Sequence, residues 1–179
     1  MARETEPFTA AAILLAGGLG RRYGEIRPKV FAELDHKPLF VHAADHLAAS
    51  KRFRELVLVV HSSWVPLAYD LAQWWHLEIA RHILPAAEDP VASVEQALKE
   101  VHRAYDVVAV HEAAFPLPDP AMIAEVLDAA YEEGTAASAV PLPEGEAAER
   151  GEVAVRLAGK RYIVHSPLAF RRDRLTALL

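Results

Sequence analysis

Apolar positions along the chain follow two rhythms. Short unbroken runs at Ala11–Ala16 (AAILLA), Glu55–His61 (ELVLVVH) and Asp106–Val110 (DVVAV) read as strands buried on both faces of a parallel sheet. Between them, apolar residues recur at three- and four-residue spacing, which predicts helices. Leu39, Val41, Ala43, Ala44, Leu47 and Ala48 mark the first, with Pro38 suited to its first turn. A second follows Ser62 or Ser63 as cap, with Trp64, Leu67, Leu71, Trp74 and Trp75 as its inner face. Pro90–Arg103 is predicted helical through Val91, Val94, Ala97, Leu98 and Val101. Pro118–Glu133 is the clearest helix, with Asp119 as cap, a stripe of Met122, Ile123, Val126, Leu127 and Ala130, and Gly134 at its end. Val30–Leu34 is expected as a short strand or extended segment, Leu77–Leu84 as a weaker strand, and Thr135–Val140, Glu152–Leu157 and Arg161–His165 as strands, with a last helix from near Pro167. Alternating strands and helices predict an α/β sandwich with a mainly parallel sheet, one domain over residues 1–179. PLPEGEAAERGE reads as an exposed loop or hairpin tip, and the alternation at Val153 and Val155 fits either a projecting hairpin arm over residues 141–160 or an internal edge hairpin.

Ligands of such sheets bind outside the carboxyl ends of the strands. Three loops qualify: Gly17–Lys29, Pro85–Ser93 and His111–Pro116. The first follows a core strand with Gly17, Gly18 and Gly20, then Arg21, Arg22 and Pro28-Lys29. Glycines let backbone N–H groups approach an anion closely, and Arg22 and Lys29 supply charge to neutralise it. The pattern is that of a polyphosphate cradle, although it lacks the Gly-Lys-Ser/Thr ending of one well-known type and carries Tyr23 where a dinucleotide fingerprint has Gly or Ala. Glu112, directly after a buried strand and His111, is placed to hold Mg²⁺, which prefers oxygen ligands and phosphates. His42 and His46 have the i, i+4 spacing of a metal pair, but an apolar helix can also carry two histidines incidentally. The three tryptophans read as core or interface, and Glu144, Glu146, Glu149 and Glu152 as a solvated face.

Composition narrows the classes. A chain of 179 residues, 53% hydrophobic and 25% charged, is ordinary for a globular domain. Its net charge of −6 argues against a broad nucleic-acid surface but not against a local cationic pocket. Without cysteine, neither disulfides nor thiolate metal sites can form. The polar start, MARETEPFTA, suits neither a signal peptide nor a membrane anchor, and the apolar runs are too short to span a bilayer, so a cytoplasmic location is expected.

Taken together, LAGGLGRRYGEIRPKVFAEL, ELVLVVHSSW, AAEDPVASVEQAL, DVVAVHEAAFPLPDPAMIAEVLDAA and HSPLAFRRDRL resemble, in order, segments of the methylerythritol phosphate cytidylyltransferases and the related ribitol phosphate enzymes. The resemblance implies a Rossmann-like nucleotidyltransferase sheet in a three-layer α/β/α sandwich. It implies cytidylyl transfer from CTP to a polyol phosphate with Mg²⁺, giving a CDP-polyol and pyrophosphate. By position, Ala16, Gly17, Gly18, Leu19 and Gly20 would hold the triphosphate, and Arg22 and Lys29 would stabilise the transition state. Ala86, Ala87 and Ser93 would face the cytosine, and Glu112 would stand for the metal-associated aspartate. It also implies a homodimer joined through the 141–160 arm.

The chain departs from that pattern at defined places. Ala86-Ala87 replace a diglycine, Pro90 and Phe115 replace arginines, and Leu168 replaces a glutamine. Pro143-Glu144-Gly145 stand where Asp-Thr is expected, and Leu179 comes before the family's later acceptor-binding lysine. Two expectations of different class follow: an active cytidylyltransferase, or another sugar-phosphate nucleotidyltransferase, with an altered acceptor, and a non-catalytic relative that binds a nucleotide or a partner protein.

Overall fold

The computed structural model describes residues 8–18, 27–144 and 153–179. Its centre is strand β1 (Ala10–Ala16), whose burial on both faces explains the unbroken apolar run. On one side β1 pairs in parallel with β4 (Phe53–Val60), and β4 with β5 (Ala80–Pro85). On the other side it pairs in parallel with β6 (Val107–Glu112). The long strand β9 (Lys160–Arg171) then runs antiparallel to β6, and β7 (Thr135–Leu142) and β8 (Val153–Leu157) both pair antiparallel with β9. The main sheet of seven strands has the order β5-β4-β1-β6-β9-β7, with β8 beside the first half of β9.

Alternation along the strands separates two cores. Ala10, Ala12 and Leu14 face α1 (Leu39–Ala49), α2 (Val65–Trp74) and α4 (Pro120–Glu133). Ala11 and Ile13 face α3 (Pro90–Glu100) and Leu175 of α5 (Arg172–Leu178). This is the three-layer α/β/α sandwich expected from the sequence.

The helix starts follow local chemistry. The Asp89 carboxylate accepts the Ala92 N–H at 2.8 Å and Pro90 opens α3, while Asp119 accepts the Ala121 N–H at 2.9 Å ahead of Pro120. Gly134, at φ 94°, ends α4 in a conformation that side chains disfavour. At its far end α3 is closed by Arg172, whose guanidinium donates to the carbonyls of Leu98, Val101 and His102 at 3.0–3.1 Å. The Glu55 carboxylate accepts the following His102 N–H at 2.8 Å.

Several local expectations are corrected. Val30–Leu34 is no strand: Lys29–Phe31 forms a 3-10 turn, buried through Val30 and Phe31, followed by the hairpin β2 (Glu33–Leu34) and β3 (Lys37–Pro38). Asp35 and His36 take positive φ between β2 and β3, the backbone twist that two-residue hairpins need. Pro38 caps α1 rather than opening its first turn, and Pro118 lies before α4. Trp74 is 77% exposed and Val91 is 63% exposed, because Ala68 and Ala72 fill the α2 seam and Val94, Ala97 and Leu98 the α3 seam. Ser62–Trp64 is a separate 3-10 turn, closed by the His61 ring accepting the Ser63 N–H. No helix begins at Pro167; the segment continues β9 to Arg171, since Leu168–Arg171 pair with β6 and α5 starts only at Arg172.

Of the expected 141–160 arm, residues 145–152 lie outside the described residues. The remainder forms a three-stranded patch: β7 and β8 flank the start of β9, and Val140, Val153, Val155 and Leu157 are exposed.

Candidate functional site

The three loops singled out from the sequence converge. A cleft of ≈ 570 Å³ opens at the carboxyl ends of the parallel strands, on the α3 side of the sheet. From β1 the chain leads to β4 on one side, while from β6 it leads through α4 to β7 at the far edge on the other. The cleft therefore lies where connections diverge, the usual ligand crevice of open α/β sheets.

Each strand end contributes a wall. β1 brings Leu15, Ala16, Gly17 and Gly18; the 3-10 turn brings Lys29 and Val30; β6 brings Glu112, with Ala114 beyond it. The loop between β5 and α3 brings Ala86, Ala87, Glu88, Asp89 and Pro90, and α3 brings Ser93. Of the sequence candidates, Ala16, Gly17, Gly18, Lys29, Ala86, Ala87, Ser93 and Glu112 thus border one cavity. Leu19, Gly20 and Arg22 lie outside the described residues.

Gly17 has a specific reason to be glycine. A Cβ there would come within 2.5 Å of the Ala86 methyl, far inside ordinary carbon–carbon contact. Around Gly18 no atom of the described residues lies within 4 Å of such an atom. The Ala86 methyl thus closes the gap between the β1 and β5 loops.

Ser93 is buried, and its hydroxyl is already engaged. It accepts the Ala87 N–H at 3.0 Å and donates to the Asp89 carbonyl at 2.9 Å. The Ala86 N–H donates to the Val60 carbonyl at 2.7 Å. Ser93 therefore braces the 86–90 loop as well as lining the cleft, a role its sequence position alone does not reveal. Glu88 and Asp89 also went unrecognised as lining residues; the Asp-Pro pair at the head of α3 was the available signal, since the helix cap must lie at the strand-end loop.

Glu112 rises from a rigid base. Its N–H donates to the Ser166 hydroxyl at 3.2 Å, the next N–H, of Ala113, to the Leu15 carbonyl at 2.9 Å, and the Phe115 N–H back to the Glu112 carbonyl at 3.0 Å. The preceding His111 is fully buried on the opposite sheet face, with Nε2 bonded to the Phe115 carbonyl at 2.8 Å. Burial holds its pKa below the ordinary imidazole value, with the bond to Phe115 opposing this.

Among the described residues no cluster of three or more His, Asp or Glu is placed to cage a metal. An exposed carboxylate such as that of Glu112, with open cleft before it, fits Mg²⁺, which binds through one or two carboxylates together with phosphates and water. His42 and His46 do not share a ligand: Nε2 of His42 bonds the Leu34 carbonyl at 2.8 Å and Nδ1 of His46 the Pro118 carbonyl at 3.0 Å. Phe115, at an arginine position of the resembled family, is 45% exposed and packs edge-on against His165 at 5.7 Å. No helix among the described residues is long and apolar enough to cross a membrane.

Comparison with known proteins agrees with this architecture. Residues 12–179 match the family of MobA-like NTP transferase domains. The chain is 31% identical over 165 residues to the 2-C-methyl-D-erythritol 4-phosphate cytidylyltransferase of Syntrophus aciditrophicus, covering 90% of this chain and 70% of that one. It is 32% identical over 168 residues to the protein of the same name from Dehalococcoides mccartyi, covering 90% and 72%. The solved structure of 4-diphosphocytidyl-2C-methyl-D-erythritol synthase from Anaerococcus prevotii matches with a TM-score of 0.72 at 16% identity, over 97% of this chain and 74% of that one. At that identity the structural match speaks for the fold alone. With the sequence relationship beside it, the chain belongs to the methylerythritol phosphate cytidylyltransferase family and carries a MobA-like NTP transferase domain.

Proposed function

We propose that this protein transfers the cytidylyl group of CTP to the phosphate of a polyol phosphate, such as methylerythritol 4-phosphate, releasing pyrophosphate. The observation that carries this reading is the convergence of the glycine loop, Lys29, the 86–93 loop and Glu112 on one cleft. In the reaction a phosphate oxygen of the acceptor forms a bond to the α-phosphorus of CTP. The bond from that phosphorus to the bridging oxygen breaks, and its electron pair leaves with pyrophosphate. Negative charge shifts onto the departing group, so fixed cations beside it lower the barrier more than cations recruited from solution.

In this reading Ala16–Gly20 present backbone N–H groups to the triphosphate, with none of the described residues crowding Gly18. Lys29 and Arg22 meet the charge on the α-phosphate and the leaving pyrophosphate. Ala86, Ala87 and Ser93 form the wall for the cytosine, and Ser93 holds that wall's shape through its two bonds. Glu112 would hold Mg²⁺. When bound, Mg²⁺ would supply positive charge that offsets the phosphates. The protein works in the cytoplasm as a homodimer, joined through the apolar strand patch of Val140, Val153, Val155 and Leu157.

A second reading has an observation of its own. Phe115 cannot pair with an acceptor phosphate as an arginine would, and Pro90 supplies no charge to the base loop. A non-catalytic nucleotide-binding relative, or a nucleotidyltransferase with a different sugar-phosphate acceptor, accommodates both replacements. Pyrophosphate release from CTP and Mg²⁺, measured across a panel of polyol and sugar phosphates, separates these readings. Turnover with a polyol phosphate supports the first, turnover with another sugar phosphate only redirects the acceptor, and binding of CTP without any turnover sinks the enzyme reading.

A further inference from the structure

Three imidazoles, those of His42, His46 and His111, hold backbone carbonyls, and two of them act on one segment. The segment from Glu112 to Pro118 links β6 to α4 and carries Glu112 and Ala114 into the cleft. His111 bonds the Phe115 carbonyl at 2.8 Å from beneath, and His46, reaching across from α1, bonds the Pro118 carbonyl at 3.0 Å. Because a carbonyl oxygen only accepts, the proton resides on Nε2 of His111 and on Nδ1 of His46. Nδ1 of His111, fully enclosed, has no hydrogen-bond partner among the described residues. A buried polar atom without a partner calls for an explanation, and the bond made by the other ring nitrogen offers one.

We propose that His46 and His111 are positioning residues that clamp the 112–118 segment at Phe115 and Pro118 and thereby fix the Glu112 carboxylate in the cleft. Residues 113–118 have no helix or strand of their own, so these bonds give them their anchors. Ahead of the first imidazole bond the Phe115 N–H closes a turn on the Glu112 carbonyl at 3.0 Å. Releasing the Phe115 carbonyl frees the turn, and releasing Pro118 frees its far anchor. Neither imidazole lines the cleft, so the effect passes through the backbone and falls on what Glu112 does rather than on the nucleotide directly.

The functional part of this inference rests on the proposed nucleotide and metal site. Its test uses the full chain and the variants His46→Leu and His111→Leu, which remove the donors. His46→Asn and His111→Gln restore them, since an Asn amide nitrogen reaches about as far as Nδ1 and a Gln amide nitrogen about as far as Nε2. His46 is only half-buried, so its variants keep the test open if His111→Leu does not fold. Amide hydrogen exchange over residues 112–118 is read together with Mn²⁺ affinity in saturating CTP and CTP affinity without metal. The leucine variants are expected to exchange these amides at least about tenfold faster and to bind Mn²⁺ about tenfold more weakly, with metal-free CTP affinity within about twofold. The Asn and Gln variants are expected to return both readouts to wild-type values. Unchanged exchange overturns the clamp, and faster exchange with unchanged Mn²⁺ affinity overturns its link to Glu112. If the wild-type protein binds no CTP at all, the functional reading itself falls, while the exchange measurement still decides the clamp.

Discussion

The contact between Gly17 and Ala86 permits a test with a defined size. A methyl placed on Gly17 would lie 2.5 Å from the Ala86 Cβ, against the roughly 3.5–4.0 Å that carbon atoms prefer. Ala86 cannot easily retreat. Its N–H is bonded to the Val60 carbonyl at 2.7 Å, and the next N–H is held by Ser93 at 3.0 Å. The Gly17→Ala strain must be met by moving strand ends apart, which for overpacked sites costs about 1–3 kcal/mol. We expect about 2 kcal/mol from urea unfolding with an unchanged m value. The Ala86→Gly change alone should cost about 0.5–1 kcal/mol through added backbone freedom. In that background Gly17→Ala should cost under about 0.5 kcal/mol, a coupling of at least about 1 kcal/mol between the positions. Equal cost in the two backgrounds, or a cost near zero in the first, would refute the close-contact reasoning.

Gly18→Ala should leave stability within about 0.5 kcal/mol, as none of the described residues crowds that position, yet weaken CTP binding if the backbone there faces phosphate; calorimetry on the same sample reads both. Glu112→Gln should lower Mn²⁺ affinity in the presence of CTP about tenfold or more without a change in melting temperature, and an unaltered affinity counts against Glu112 as ligand. Arg172→Met removes three charged hydrogen bonds at the end of α3 and should destabilise the fold by about 2 kcal/mol in urea, with CTP affinity preserved. The pKa of His111 is lowered by burial, so between that lowered value and the unfolded value near about 6.5 the unfolded chain binds more protons. Its contribution is complete above the unfolded value and is lost as pH falls through this window; His111→Gln should therefore lose less stability between pH 7.5 and pH 5 than the parent, and an equal loss rejects the assignment.

The sequence disclosed the parallel half of the sheet because those strands are buried on both faces, leaving unbroken apolar runs at Ala11–Ala16 and Glu55–His61. It also disclosed which loops meet, since strand direction alone brings Gly17, Ala86 and Glu112 to one edge. The antiparallel half was less legible. Pro167 resembles a helix start, and only pairing with β6 and β7 shows that β9 runs through it. Trp74 fits the helical period, yet small Ala68 and Ala72 let α2 approach the sheet and leave the indole outside. The i, i+4 histidines could be read as metal ligands or as incidental, because the carbonyls they bind belong to Leu34 of the preceding hairpin and to Pro118, which only the fold brings near. The bracing role of Ser93 was hidden because its partners, Ala87 and Asp89, meet it only through the shape of their loop. A hydroxyl shows its hydrogen-bond partners only after the chain has turned.

The most direct measurement is calorimetric titration of CTP, with Mg²⁺, into the protein and into Arg22→Ala and Lys29→Ala, beside the other nucleoside triphosphates. The account predicts micromolar CTP binding, weakened at least about tenfold by either substitution, equivalent to about 1.4 kcal/mol. Absence of binding by every nucleotide, or CTP binding indifferent to both cations, would contradict the assignment of the cleft.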